Sequence, residues 1–280
     1  MDLEALLARL PFEPLRNPPP LVTVLRLSGF IGRPGPARGG LNIAGLAGAI
    51  ERAFAPRFLR GVALAVNSPG GSPVQSSLIC RRIRQLAAEK NVPVFAFVED
   101  VAASGGYWLA LAADEIFADD SSIIGSIGVI SAGFGFNALL ERAGIERRVH
   151  TQGERKAMLD PFRPENADDV ERLKVLQADI HASFKEVVLN RRAGRLKAPE
   201  DDLFNGDIWT GRHAVEIGLI DGIGELRQVM RGRFGDKVRL RVVARERGWL
   251  RRRIGLTTTD WPAAALQAVE ERVLWSRYGL

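Results

Sequence analysis

The chain has 280 residues, of which 46% are hydrophobic and 26% are charged, as in a soluble globular protein. A single cysteine, Cys80, excludes an internal disulfide and a cysteine-based zinc site, and the three histidines are too scattered to indicate metal ligation. The net charge of +6 is uneven, because eleven basic residues oppose two acidic ones between Arg227 and Arg253. No basic–aromatic pattern indicates nucleic-acid binding, so we expect an anionic membrane surface as the partner of this basic segment.

The first twenty residues are predicted to form a short helix and a proline-rich linker. They do not resemble a secretory signal peptide, because Asp2 and Glu4 place acidic groups where basic ones are expected. From residue 21 onward, buried-strand patterns alternate with helical periodicity, which predicts an α/β fold with a parallel sheet. Strands are predicted at 21–31, 61–68, 92–98 and near Ile116, and helices at 41–54, 73–89 and 105–113.

The next part of the chain is predicted to contain strands near 127–131 and 145–150 and a long amphipathic helix over 165–194. The stretch 121–140 has no charged residue, but it is too rich in glycine and serine for a convincing membrane span. We interpret it as buried loop, strand and helix.

The character of the sequence changes from about residue 233. An alternating charged strand and a terminal amphipathic helix after Asp260 predict a small basic C-terminal appendage. The predicted domains are an N-terminal helix and linker (1–20), a main domain (21–232) and the appendage (233–280).

Ser104 occupies a position that suits a catalytic nucleophile. It stands between the strand "FAFVEDVAA" and the apolar helix "GGYWLALAA", where backbone N–H groups converge. The alternative is that Ser104 is an ordinary N-cap and that the two glycines after it only allow close packing.

A second strand-to-helix turn, "VNSPGG", ends at Gly71. Its glycines allow the backbone to approach a ligand closely, so the N–H groups of Gly71 and Gly105 are candidates for stabilising an oxyanion. The alternative is an ordinary turn after a buried strand.

Six motifs in order over residues 21–230 resemble the signal peptide peptidase A family, the serine peptidases of family S49. They are "VNSPGGSP", "ASGGYW", "IIGSIGVI", "GERKAML", "DPFRP" and "WTGRHAVEIGLID". The resemblance implies a Clp-protease/crotonase-like fold, a spiral of ββα units. Clp-type proteases use a histidine after the serine, but "SSIIGSIGVISAG" contains none, so a Ser-His-Asp triad of that type is excluded.

The resemblance implies that a lysine replaces the histidine, and the matching position is Lys156. The residues support this choice, because the chain has only six lysines against 33 arginines. Arginine cannot lose its proton in a protein, whereas burial can lower the pKa of a lysine. From composition alone, Lys156 would be a solvated surface charge.

By the same resemblance, Ser126 orients the lysine amine, and a Ser-Lys dyad cleaves unfolded or apolar peptides such as signal-peptide remnants. The resemblance implies no metal and no organic cofactor. Family members of this length form homo-oligomeric rings, in which Ser104 and Lys156 pair within one protomer or between neighbours. The family usually carries an N-terminal membrane anchor. None is recognisable here, so we expect either a cytoplasmic protein that contacts the inner face of the membrane through its basic segment, or a protein whose start has been mis-assigned.

Two other functions are consistent with parts of the sequence. A crotonase-like acyl-CoA enzyme would share the paired oxyanion N–H groups, but it would not need Ser104 together with Lys156. A non-catalytic ring scaffold would keep the fold and use the basic segment to bind a membrane or a partner. Nothing in the sequence marks the dyad as decayed.

Overall fold

The computed structural model describes residues 18–32 and 40–243, together with Arg272, Trp275, Ser276 and Tyr278. Strands and short helices alternate along most of the chain. The strands are β1 (Leu21–Ser28), β2 (Leu59–Ser68), β3 (Val94–Ala103), β4 (Glu115–Ala118), β5 (Ile123–Gly125), β6 (Ile208–Thr210), β7 (Gly222–Ile223) and β8 (Arg239–Val242). The helices are α1 (Ile43–Phe54), α2 (Pro73–Lys90), α3 (Gly105–Ala110), α4 (Asn137–Arg142), α5 (Ala167–Arg191), α6 (Glu200–Leu203), α7 (Gly211–Glu216) and α8 (Leu226–Phe234).

All eight strands belong to one sheet. Its main path runs β6-β5-β3-β2-β1-β8, and β4 pairs with both β3 and β7. Every pairing is parallel except that of β5 with β6. This arrangement confirms the α/β class and the parallel sheet that the alternating sequence predicts.

The central strands are buried because helices cover the sheet, and their sequences are nearly continuous apolar runs. Helix α2 begins with Pro73 after the N-cap Ser72, whose side chain accepts from the N–H of Gln75. It ends at Asn91, which adopts the left-handed conformation common after helix C-termini. One core cluster joins alternate residues of β1, β2 and β3 to α8: Val22, Val24, Ala63, Ala65, Phe95, Phe97 and Met230.

The chain divides into two compact units. One contains the described residues up to Ile127 and from Val187 onward, and it includes the whole sheet; the other is Gly128–Glu186. The second unit contains α4 and most of α5, and most of its side chains are exposed. Within the described ranges, no helix is long and apolar enough to cross a membrane.

Two predicted strands, near 127–131 and 145–150, do not form in the structure. The strand in the first region lies earlier, at β5, and it ends where Gly125 and Ser126 both adopt positive φ angles. Residues 130–136 are exposed, so the prediction of a buried segment over 121–140 is wrong for that part. The physical reason is that a short apolar run becomes a strand only where a neighbouring strand offers hydrogen bonds.

The predicted strand after residue 233 is β8, and it lies in the main sheet. It pairs in parallel with β1, from Leu21 opposite Arg239 to Val24 opposite Val242. Phe234, just before it, packs edge-on against Phe95 of β3. The terminal helix predicted after Asp260 lies outside the continuous described ranges, so the domain boundaries stay predictions.

A buried arginine ties the end of α5 to the segment that follows α7. Arg192 is 2% exposed, and its guanidinium donates to the carbonyl of Gly218 from two nitrogens, at 3.0 and 2.8 Å. A third nitrogen donates to a carboxylate oxygen of Asp221 at 2.7 Å. The same oxygen accepts from the N–H of Ile116, so this network links Arg192 to β4.

We predict that Arg192→Ala lowers the free energy of unfolding by about 3 kcal/mol, because removing one member of a buried charge pair leaves its partners unsatisfied. The matched control is Arg212→Ala, which removes an ion pair between largely exposed side chains and should cause a much smaller loss. Urea denaturation of both variants measures the difference. Equal losses would show that the buried network adds nothing beyond an ordinary surface pair.

Candidate active site

Ser104 is held in an unusual backbone conformation at the end of β3. Its φ and ψ angles are 53° and −122°, a region that residues with a side chain rarely adopt. Its N–H donates to the carbonyl of Gly125 at 2.7 Å, and its own carbonyl accepts from Trp108 in α3 at 3.1 Å. Ser104 stands at the N-cap position of α3 but makes no side-chain capping bond. The N-cap alternative therefore does not explain its hydroxyl.

The turn at Gly70 and Gly71 packs directly against Ser104. A Cβ atom on Gly70 would lie 2.8 Å from Ser104 Cβ, 2.9 Å from the carbonyl oxygen of Ala103 and 3.0 Å from the nitrogen of Gly105. Side-chain atoms essentially never approach so closely, and Gly70 also has a φ angle of +105°. The structure thus brings together the two glycine turns that the sequence singles out.

The backbone of Gly71 approaches the backbone of Gly105. The N–H of Ile31 donates to the carbonyl of Gly70 at 2.9 Å, and the carbonyl of Ile31 accepts from the N–H of Ser72 at 2.7 Å. In such a parallel pairing, the N–H of the intervening Gly71 points away from Ile31. A Cβ on Gly105 would lie 3.4 Å from the nitrogen of Gly71. Gly105 is the first residue of α3, whose N–H has no partner within the helix. In the described ranges, neither N–H has an acceptor.

Ser126 is brought next to Ser104 by strand register. Ala103 of β3 is paired with Gly125 of β5, and each serine directly follows its strand's last paired residue. Ser126 also has a positive φ angle, 52°, and its N–H donates to the carbonyl of Asp207 at 2.6 Å. Both serines are half-buried, so a ligand can reach them.

Lys156 lies in the second compact unit, separate from the unit that holds both serines. It is exposed and sits in a turn in which its N–H donates to the carbonyl of Gly153 at 3.1 Å. The sequence-predicted site is therefore brought together for Ser104, Ser126, Gly71 and Gly105, and the position of Lys156 relative to them stays a prediction.

An ion-pair cluster stabilises the chain just after Lys156. Asp160 accepts from Arg147 and from the N–H of Phe162, and Arg163 lies 3.7 Å away. The hydrogen bond from Arg147 lowers the pKa of the Asp160 carboxyl from its usual value. Arg147 also lies over the ring of Phe162, 4.7 Å from its centroid. The carboxylate nearest in sequence to Lys156 on its C-terminal side is thus already paired with a cation.

The acidic residues that follow α3 are engaged elsewhere, as predicted. Asp114 pairs with Arg84 and Arg191, and Glu115 pairs with Arg233. Asp120 pairs with Arg212, and Asp119 accepts from the N–H of Ser121. Each of these four carboxylates therefore has a hydrogen-bond partner, and none of the described contacts pairs one of them with another carboxylate.

The single cysteine is also structural. Cys80 is buried in α2, and burial raises the pKa of its thiol to about 11, so it is a poor nucleophile. The described ranges contain no cluster of three His, Cys, Asp or Glu side chains able to hold a metal ion.

Two residues at the site were missed by the sequence reasoning. Ile31 anchors the Gly70–Ser72 turn through its backbone, and Ser76 places its hydroxyl against Gly105. Neither carries a local signal, since an isoleucine after a strand and a serine inside a helix are both common. Their roles arise only when distant segments pack together.

Comparisons with known proteins agree with these features. A sequence profile of Peptidase family S49 matches residues 87–234. The putative protease slr0021 of Synechocystis sp. is 32% identical over 226 residues, covering 77% of this chain and 79% of that protein. The chloroplastic serine protease SPPA of Arabidopsis thaliana is 36% identical over 171 residues, covering 60% of this chain and 24% of that protein.

A further relative has a different name. A Brucella abortus protein named Na(+)/H(+) antiporter NhaA is 51% identical over 272 residues, covering 92% of this chain. The chain spans only 37% of the length of that protein. The S49 profile, by contrast, matches more than half of the chain, and the Synechocystis protease is matched over most of both lengths. The chain therefore belongs to peptidase family S49.

Proposed function

We propose that this chain is a serine endopeptidase in which Ser104 is the nucleophile. The observation that carries the proposal is the strained Ser104 backbone, held against the Gly70–Gly71 turn at distances that exclude any side chain on Gly70. A strained turn that exposes a serine beside unpaired N–H groups suits acyl transfer. Membership of family S49 supports the same chemistry.

The two glycine N–H groups would stabilise the negative charge that develops during attack. When Ser104 Oγ bonds to the peptide carbonyl carbon, the carbonyl oxygen becomes an oxyanion. Among the described residues the N–H groups of Gly71 and Gly105 have no acceptor, and a Cβ on Gly105 would lie 3.4 Å from the nitrogen of Gly71, so both groups suit this oxygen. One such donor contributes about 3–4 kcal/mol to transition-state stabilisation in comparable sites.

Lys156 is proposed as the general base, on the strength of the sequence and of family membership. In its neutral form it would take the proton of Ser104 as the bond to carbon forms. It would then give that proton to the leaving amine nitrogen as the peptide C–N bond breaks. Water would next attack the acyl-enzyme ester and regenerate Ser104. Ser126, adjacent to Ser104 across β3 and β5, would hold the lysine amine in position.

The proposed substrates are unfolded or apolar peptides, such as signal-peptide remnants. An extended peptide can present its carbonyl to a site built from two backbone turns, whereas a folded domain cannot. The basic segment 227–253 supports contact with an anionic membrane surface. We also propose that the chain assembles into a homo-oligomer.

The dyad predicts that Ser104→Ala and Lys156→Ala each abolish cleavage of unfolded casein without unfolding the protein. The double variant should be no worse than either single variant, because residues that act as a unit lose their function together. Ser77→Ala and Lys174→Ala are matched controls, since both side chains lie on helix surfaces. Substantial turnover by either dyad variant would overturn the assignment.

A lysine base also predicts a specific response to charge and pH. Lys156→Arg should be as inactive as Lys156→Ala, because arginine keeps the positive charge but cannot release a proton. The kcat/KM of the wild-type protein should rise as the pH is raised beyond the range in which histidine titrates. Near-normal activity of the arginine variant would show that only a positive charge is needed, and the base would lie elsewhere.

The membrane proposal predicts that truncation after residue 245 weakens binding to anionic liposomes. This truncation keeps β8, which ends at Val242, so the sheet should stay intact. It removes Arg247, Arg251, Arg252 and Arg253. Co-sedimentation with vesicles containing phosphatidylserine measures the effect, and neutral phosphatidylcholine vesicles provide the control. Unchanged binding to the anionic vesicles would exclude the segment beyond residue 245 as the contact.

A further inference from the structure

Ser76 is a buried polar residue that the proposed chemistry does not use. It lies in the first turns of α2, its exposure is 0%, and it follows Ser72 by four residues. Its hydroxyl donates to the carbonyl of Ser72 at 2.9 Å, and its N–H donates to the same oxygen at 3.1 Å. The helical N–H bond would form without the hydroxyl, so the side chain is not needed to satisfy that carbonyl.

The hydroxyl of Ser76 fills the space that a side chain on Gly105 would occupy. A Cβ on Gly105 would lie 2.5 Å from Ser76 Oγ, 3.2 Å from Ile31 Cδ1 and 3.4 Å from the nitrogen of Gly71. Ser76 Oγ therefore packs against the backbone of Gly105, on the side where Gly71 also approaches.

The Gly70–Ser72 segment is held from two directions. Ile31 bonds to it on one side, through the carbonyl of Gly70 and the N–H of Ser72. Ser76 bonds to its end through the carbonyl of Ser72, and the same hydroxyl contacts Gly105. Ser76 is thus a single side chain that touches both glycine turns.

We propose that Ser76 is a positioning residue that sets the separation between the N–H groups of Gly71 and Gly105. This inference rests on the proposed function, because the two N–H groups matter only if they hold an oxyanion. The residue does not contact the substrate. It acts through the backbone, by fixing the Ser72 carbonyl and the Gly105 Cα at a constant distance from one another.

Both a smaller and a larger side chain at position 76 should then lower the rate of the chemical step. Ser76→Ala removes the bond to Ser72 and leaves a gap beside Gly105, so the two turns are held less firmly. Ser76→Cys places a larger sulfur atom where Ser76 Oγ already packs against the backbone of Gly105, so we expect the turns to be forced apart. A small displacement of an oxyanion donor lowers the rate of the chemical step but leaves substrate binding almost unchanged.

The test is steady-state peptidase kinetics of Ser76→Ala and Ser76→Cys, corrected by active-site titration for the fraction of active protein. We expect kcat to fall by about 5- to 50-fold, part of the 10²- to 10³-fold loss that removal of a whole donor causes. KM should stay within about 2-fold of the wild-type value, as for a group that acts only in the transition state. The cysteine variant should be slower than the alanine variant.

Ser77→Ala is the matched control, because the neighbouring hydroxyl accepts from Arg81 on the helix surface and should not affect kcat. Wild-type kcat in both Ser76 variants, or a rise in KM at constant kcat, would overturn the positioning role. Failure of the proposed function would look different, since Ser104→Ala would then retain activity. An inactive Ser104→Ala variant beside a fully active Ser76→Ala variant would reject the positioning role alone.

Discussion

The candidate site depends on the close approach of two backbone turns, at which Gly70 and Gly71 lie against Ser104 and Gly105. A Cβ on Gly70 would meet Ser104 Cβ at 2.8 Å, so no larger residue fits without moving the turn. Ser104, which lies at this contact, has a φ angle of 53°. Backbone strain of this kind costs about 1–3 kcal/mol, and it persists only where the surrounding structure enforces it.

The parallel sheet provides that enforcement. β2 and β3 are neighbours in the sheet, so their carboxyl ends, and the turns after them, meet at the same edge. The pairing of β3 with β5 adds Ser126 to this edge. The N–H of Ser104, directly after β3, donates to the carbonyl of Gly125, the last residue of β5. Arg192 and Asp221 link β4, which also pairs with β3, to the segment that follows α7. The geometry of the turns is therefore a property of the whole sheet.

The sequence predicted the parts of the site that depend on local chemistry. Glycines after a buried strand and a serine before an apolar helix indicate their conformations directly, and Ser104, Gly71 and Gly105 lie together in the structure. The sequence did not predict the exposure of residues 130–136 or the packing of Ser76 against Gly105, because both depend on which distant segments pack there. The strand predicted near 145–150 failed for the same reason, since a strand requires a partner.

The most direct measurement of the central claim is covalent labelling with a phosphonofluoridate, followed by mass spectrometry of the digested protein. An activated serine would displace fluoride from phosphorus, and the two glycine N–H groups would bind the phosphoryl oxygen. We predict a single adduct on the peptide that contains Ser104, and no adduct in Ser104→Ala. An adduct on a different serine, or no adduct under conditions in which the wild-type protein cleaves casein, would contradict the assignment of Ser104 as the nucleophile.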